Sequence, residues 1–61
     1  MPSEEKIKRN IQIYLEKTGL ASTKDRKPTN SPRTYRALSK EYKMSIQRVL
    51  FIVNRMRKYY A

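Results

Sequence analysis

The 61-residue chain carries fifteen Lys and Arg residues against five Asp and Glu residues, a formal net charge of +10. It contains no cysteine and no histidine, which excludes disulfides and thiolate metal sites and removes the usual general base. We therefore expect one small domain over residues 1–61, with no catalytic residues, no metal site and no cofactor.

The basic surplus is concentrated in the second half of the chain. Residues 34–61 carry seven basic residues and one acidic residue, whereas residues 1–19 carry four basic and three acidic residues. This asymmetry favours a polyanionic partner, with nucleic acid as the leading candidate, because a solubilising surface would mix both signs. No apolar run approaches the roughly 20 residues of a membrane span, so we expect no membrane partner and a cytoplasmic location.

The first predicted element is an α-helix over residues 4–18. Ser3 suits its N-cap, and Gly19 suits the left-handed position that follows it, with Leu20 folding back onto Leu15. The residues of one apolar stripe share the spacing of a helix face: Ile7, Ile11, Tyr14 and Leu15. Ile13 lies off this stripe, and we expect it to be exposed or to meet a partner.

Residues 20–32, "LASTKDRKPTNSP", form a predicted basic linker. Two prolines, several small polar residues and three bases are typical of a solvated connection. The segment "STKDRK" is compatible with one helical turn. Two interpretations remain open, a basic loop that rests on phosphates and a flexible connector.

Two further helices are predicted over residues 32–42 and 45–60. Either Ser31, followed by Pro32, or Thr34 caps the first of them, and Ser45 caps the second. The inner stripe of the first is Tyr35, Leu38 and Tyr42. The apolar arc of the second consists of Ile46, Val49, Ile52, Val53, Met56 and Tyr60. The fold class is therefore all-α, a three-helix domain.

The tight turn at "KMS" between these two helices gives the spacing of a helix-turn-helix, in which the second helix lies in the DNA major groove. Ser39 is small enough for the helices to approach closely, and Met44 fills the turn. Lys43 occupies the turn position where glycine is usual. A non-glycine residue with a left-handed backbone costs on the order of 1 kcal/mol there.

The segment "TYRALSKEYKMSIQRVLFIVNRMRKYY" resembles the helix-turn-helix of the Mor-like (middle-operon regulator) family of phage transcription activators. It is also similar to the promoter-reading final domain of sigma factors. The shared pattern "Y-R-x-L-A-x-x-Y-G-x-S-x-x-R-V" is matched here by Tyr35, Arg36, Leu38, Tyr42, Ser45, Arg48 and Val49. Ser39 and Lys43 replace its alanine and glycine. The segment "KRNIQIYLEKTG" resembles the "R-N-x-x-I-Y" helix that precedes the motif in the phage family.

The candidate DNA-binding residues lie at the start of the second helix, in the turn or on the outer side of the third helix. They are Arg33, Thr34, Tyr35, Arg36, Lys43, Ser45, Gln47, Arg48, Phe51, Asn54, Arg55 and Lys58. Gln47 suits a bidentate contact with adenine, and Arg48 suits guanine or a phosphate. The free N–H groups at the start of the second helix suit a phosphate.

These patterns predict a sequence-specific, double-stranded DNA-binding transcription regulator, encoded by a phage or mobile element and associated with the nucleoid. A homodimer on a two-fold site is one expectation, with Ile13, Leu50 and Phe51 as candidate contacts. The alternative is a small protein-binding factor that docks on RNA polymerase, a sigma factor or another regulator. Phe51 suits either a thymine methyl group or a second protein chain.

Overall fold

Three α-helices make up the regular secondary structure of the computed structural model, which describes residues 3–60. They are α1 (Glu4–Thr18), α2 (Tyr35–Glu41) and α3 (Ile46–Tyr60), and no strand occurs within the described range. The prediction of an all-α, three-helix domain is confirmed, with α1 at its predicted bounds and α2 shorter than predicted. In the same range, no helix combines the length and apolar character needed to cross a bilayer.

Both ends of α1 are capped as its sequence predicts. The Ser3 hydroxyl accepts a hydrogen bond from a first-turn backbone amide at 3.3 Å. Gly19 has a left-handed backbone (φ 76°), and the amide of Leu20 donates to the Leu15 carbonyl at 3.0 Å. This six-residue closure is a Schellman motif, which satisfies carbonyls that the helix itself leaves unpaired.

The buried face of α1 matches the predicted stripe only in part, since Ile11 and Leu15 pack against the core as predicted. Ile13 is fully buried and Tyr14 is buried, whereas Ile7 is 43% exposed, so the expectation that Ile13 is exposed is wrong. The face packed against the other helices runs through Asn10, Ile13, Tyr14 and Lys17, which have helical i, i+3, i+4 and i+7 spacing. Asn10 and Lys17, at its two ends, are polar, so hydrophobic periodicity alone does not predict this face.

The N-terminus of α2 is set by Thr34, whose hydroxyl accepts a hydrogen bond from the Ala37 amide at 3.1 Å. The alternative start at Ser31 and Pro32 is wrong. The backbone amide of Arg33 donates to a carbonyl of α1 at 2.9 Å, which holds the residues before Thr34 along α1 instead of in α2. The absence of this first turn leaves α2 with seven residues.

A second Schellman-type closure ends α2 and begins the turn to α3. The Met44 amide donates to the Ser39 carbonyl at 3.0 Å, and Lys43 takes the left-handed position with φ 53°. Among the described residues Lys43 is the one non-glycine residue with positive φ. The Ser39 hydroxyl donates to the Met44 carbonyl at 2.7 Å, so this side chain adds a bond that an alanine would lack.

The helix α3 begins after Ser45, whose hydroxyl accepts from the Arg48 amide at 3.2 Å. Its buried residues are Val49, Ile52, Val53 and Met56. Ile46, predicted on the same arc, is 47% exposed. It lies in the first turn, at the end of the packed stripe, so one side of its side chain remains open to solvent.

The core joins all three helices. Its fully buried side chains are Ile13 of α1, Leu38 of α2, and Val49 and Val53 of α3. Burial of one such side chain contributes about 1.5–3 kcal/mol before conformational entropy is counted. Since α1 and α2 both pack against α3, the position of α3 is determined from two sides.

A polar cluster ties α1 to α2 at the edge of this core. The Tyr42 hydroxyl donates to a Glu16 carboxylate oxygen at 2.5 Å. The guanidinium of Arg33 pairs with Glu41 at 2.8 Å and with Glu16 at 3.5 Å. Burial, together with the hydrogen bond to Glu16, raises the pKa of Tyr42 well above its ordinary value.

The linker between α1 and α2 has no helical turn. A β-turn closed by the Asp25 amide and the Ser22 carbonyl, at 3.2 Å, occupies the place of the helical turn considered for "STKDRK". The rest of the linker follows α1 through backbone hydrogen bonds. The loop at residues 20–33 is therefore tied to α1 by its backbone, while most of its side chains are exposed.

Candidate nucleic-acid interface

The outer face of α3 is the most basic helical surface of the described chain. Its polar and charged members are exposed: Gln47, Arg48, Asn54, Arg55 and Lys58. No acidic residue occurs between residues 46 and 60. Any anion that approaches this face therefore meets three cations, with Arg57 on the adjacent flank and no competing carboxylate on the same helix.

The first turn of α3 holds Gln47 and Arg48 at its exposed side. The Ser45 cap orders the backbone of this turn, since its hydroxyl bonds to the Arg48 amide. One residue further on, Val49 is fully buried and anchors the same turn to the core. The two polar side chains thus project from an end of the helix that is fixed on both sides.

Phe51 lies on this polar face and is 62% exposed. It follows Gln47 by four residues and precedes Asn54 by three, so the three side chains are neighbours on the helix surface. An exposed aromatic side chain among polar groups gives this face one apolar contact point. Leu50, at 40% exposure, lies on the adjacent flank.

The candidate residues around the start of α2 take several different roles. Thr34 uses its hydroxyl to cap the helix. The ammonium of Lys17 lies 4.6 Å from the ring centre of Tyr35, a cation–π contact that joins α1 to α2. Arg36 is exposed and makes no ion pair with any residue in the range 3–60. Arg33 differs, because its guanidinium is shared between two carboxylates.

Lys43 stands between the two helices, exposed at the turn. Its left-handed backbone is fixed by the hydrogen bonds that close α2. The structure thus brings Arg36, Lys43, Gln47 and Arg48 onto the α2–turn–α3 unit as accessible side chains. Arg33 does not belong to this group, because its charge is paired with Glu16 and Glu41.

One basic residue on α3 is absent from the sequence-based candidates. Arg57 is exposed in the last turn, next to Lys58. On a helical wheel it falls beside the apolar arc, where the sequence favours a role at the negative end of the helix dipole. The available signal was its place beside Lys58 in a basic last turn.

An apolar groove runs between the N-terminal half of α1 and the C-terminal half of α3. Ile7, Ile52, Met56 and Tyr59 line it, with Arg55 at its margin. Tyr59 is 70% exposed there. At the end of α3, the ring of Tyr60 lies 5.9 Å from the ring of Tyr14, centre to centre, which anchors the last turn to α1.

Comparison of the chain with known families and proteins gives no guide to its role. No protein-family model, no curated protein and no solved structure matches it. The role of the chain is therefore inferred from the chemistry of its exposed surface.

Proposed function

We propose that the chain is a sequence-specific, double-stranded DNA-binding transcription regulator in which residues 35–60 act as a helix-turn-helix. The observation that carries the proposal is the two-sided character of α3. One side is buried in the core. The other side exposes Gln47, Arg48 and Asn54 among basic residues, and α3 carries no acidic residue. A helix that packs on the protein with one side and binds a polyanion with the other needs this division.

The dimensions of α3 suit the major groove. A helix with its side chains is about 10–12 Å across, and the major groove of B-DNA is about 12 Å wide. With α3 in the groove, the short α2 would cross the sugar-phosphate backbone and bring Arg36 and Lys43 close to phosphates. Both side chains are exposed.

Base recognition is assigned to the first turns of α3. Gln47 has the amide that pairs with the N6 and N7 atoms of adenine, and Arg48 has the fork that pairs with the O6 and N7 atoms of guanine. Phe51 supplies an apolar surface of the kind that contacts a thymine methyl group. Asn54, Arg55 and Lys58 lie further along the helix and are assigned to phosphates, which position the protein without specifying sequence.

The resemblance of residues 34–60 to Mor-like activators and to the final domain of sigma factors supports a role at promoters, in a phage or another mobile element. A single reading helix contacts few bases, so a homodimer on a two-fold site is part of the proposal. Leu50 and Phe51 remain candidate contacts between the two copies. Ile13 is buried within the chain and therefore cannot be one of these contacts.

Selection of duplexes from a random pool, followed by equilibrium binding across a salt series, tests the proposal. The logarithm of affinity should fall linearly with the logarithm of salt concentration, at a slope of about −0.9 per phosphate neutralised. Gln47→Ala should reduce discrimination at one base pair by about 1–3 kcal/mol. Lys58→Ala, the control, should weaken binding to all sequences alike. An absence of salt-dependent duplex binding refutes the proposal.

A second candidate function is a protein-binding factor, which the exposure of Phe51 and Tyr59 favours. In that case an apolar site on purified bacterial RNA polymerase or a sigma factor would cover one of these side chains. Phe51→Ala would then abolish the complex with polymerase, while Gln47→Ala and Lys58→Ala would leave duplex affinity unchanged. The opposite pattern favours the DNA-binding regulator.

A further inference from the structure

The loop at residues 20–33 is held in place by its backbone. The amides of Thr29 and Asn30 both donate to the Gly19 carbonyl at 2.9 Å, and the Arg33 amide donates to the Glu16 carbonyl at 2.9 Å. The loop is thus tied to the C-terminal end of α1 at two points. Lys24 lies before these anchor points, in a β-turn closed by the Asp25 amide and the Ser22 carbonyl at 3.2 Å. Backbone that is fixed in advance lowers the entropic cost of binding a ligand.

The acidic and basic side chains of this loop lie in different environments. Its one acid, Asp25, is turned toward the loop itself and accepts hydrogen bonds from the Ser22 amide at 2.7 Å and the Ser22 hydroxyl at 3.3 Å. Lys24, Arg26 and Lys27 are exposed, and none of them forms an ion pair within residues 3–60. The exposed charged side chains between residues 24 and 27 are therefore all cationic, whereas Asp25 is half-buried.

This cationic surface lies beside the C-terminal end of α3. A cleft between loop and helices is lined by Lys24 and Arg26 on one side and by Tyr14 and Tyr60 on the other. Tyr60 ends α3, whose last turn also carries Arg57 and Lys58. The loop therefore lies beside the last residue of α3.

We infer that the loop is a second nucleic-acid contact, in which Lys24, Arg26 and Lys27 bind phosphates of the duplex that α3 reads. This inference rests on the proposed function and adds a backbone-binding site to it. The longest dimension of the molecule is 27 Å, shorter than the roughly 34 Å of one turn of B-DNA. The molecule is therefore small enough for loop and α3 to lie along one turn of duplex, and Lys24 and Arg26 line a cleft with Tyr60 at the end of α3.

The chemistry of the loop fits phosphate better than bases or a protein surface. Its exposed cations have no large apolar side chain between them, so the loop lacks the apolar anchor of a protein interface. Half to two-thirds of protein–DNA hydrogen bonds go to the sugar-phosphate backbone, for which Lys and Arg are the common donors. The loop should accordingly increase affinity for all sequences and leave sequence preference unchanged.

The test compares two double variants that remove the same charge. Arg26→Gln with Lys27→Gln removes loop cations, and Lys6→Gln with Lys8→Gln removes two exposed cations of α1. Duplex affinity is measured across a salt series for both. The loop variant should make the slope shallower by about 0.9 for each phosphate that is no longer neutralised, and by more than the α1 variant does. The exchange of Arg26→Lys with Lys27→Arg keeps both charges and should retain the wild-type slope.

The outcomes separate this inference from the proposed function. If wild-type protein binds duplex with the expected salt dependence but the two double variants change the slope equally, the loop inference is overturned alone. If the loop variant alters the preferred sequence, the loop reads bases and the assignment to phosphates is wrong. If wild-type protein shows no salt-dependent duplex binding, the proposed function is refuted, and the loop inference that rests on it is refuted as well. Far-ultraviolet circular dichroism verifies that each variant is folded.

Discussion

The Ser39 hydroxyl donates a 2.7 Å hydrogen bond to the Met44 carbonyl across the turn that joins α2 to α3. The backbone forms a bond between the same two residues in the other direction, from the Met44 amide to the Ser39 carbonyl at 3.0 Å. This pair of bonds closes the turn although its left-handed position is occupied by Lys43. The Ser39 side chain thus adds a bond to a turn whose left-handed position is held by a non-glycine residue.

Ser39→Ala should destabilise the protein by about 0.5–1 kcal/mol. Loss of the hydroxyl removes a bond with a net value of about 1 kcal/mol, and the higher helix propensity of alanine recovers a few tenths of it. Urea denaturation measures the change in the free energy of unfolding. Ser31→Ala, at an exposed loop position, is the control and should lie within about 0.5 kcal/mol of wild type. Equal effects of the two substitutions would contradict the role of the Ser39 bond.

Lys43→Gly should stabilise the protein by up to about 1 kcal/mol, because the left-handed backbone costs lysine about 1–2 kcal/mol and the greater chain entropy of glycine offsets part of this gain. Lys40→Gly removes the same side chain from within α2, where glycine should destabilise by about 1 kcal/mol. Thermal and urea unfolding of both variants should give opposite signs. A loss of stability in both would show that the Lys43 side chain makes a stabilising contact.

Tyr42→Phe should destabilise the protein at neutral pH by about 1 kcal/mol, through loss of the hydrogen bond to Glu16. Burial and that hydrogen bond raise the pKa of Tyr42 in the folded chain above its unfolded value of about 10. Below about pH 10 both states keep the proton, so the contribution is fully present. As the pH rises further, the unfolded chain loses the proton first, and the folded state is progressively disfavoured.

The stability difference between wild type and Tyr42→Phe should therefore shrink as the pH rises above about 10. Other titrating groups are common to both proteins and cancel in this difference. Tyr59→Phe, at an exposed position, controls for removal of a phenol as such. A wild-type advantage over Tyr42→Phe that stays constant from about pH 7 to about pH 11 would contradict the assignment.

The helices α1 and α3 and their N-caps could be predicted because their signals are local. Ser3 and Ser45 each accept a hydrogen bond from an amide three residues later, and Gly19 closes a motif only six residues long. The outer face of α3 followed from helical spacing in the same way, so Gln47 and Arg48 are exposed as expected. Whether they read bases stays a prediction.

The features that the sequence did not reveal depend on partners far along the chain. Ile13 is buried because α3 packs over the face that Asn10 and Lys17 flank, and these polar residues hide the stripe. Lys17 is accommodated there by the Tyr35 ring, which lies on another helix. Arg33, expected at phosphates, meets Glu16 and Glu41 only after α1 and α2 come together. Hydrophobic periodicity carries no information on such polar pairings.

Gly19→Ala should destabilise the protein by more than about 1 kcal/mol, because alanine is disfavoured at positive φ and its methyl group would collide with the Asn30 carbonyl. The collision should also push the loop away from α1, since the Gly19 carbonyl accepts from the Thr29 and Asn30 amides. Hydrogen exchange at these two amides should therefore accelerate more than exchange in the middle of α3. Thr29→Ala keeps the backbone bonds and serves as the control. Unchanged protection of both amides in Gly19→Ala would mean that the loop is held by contacts other than its backbone, and the ordered loop on which the second phosphate site depends would need another cause.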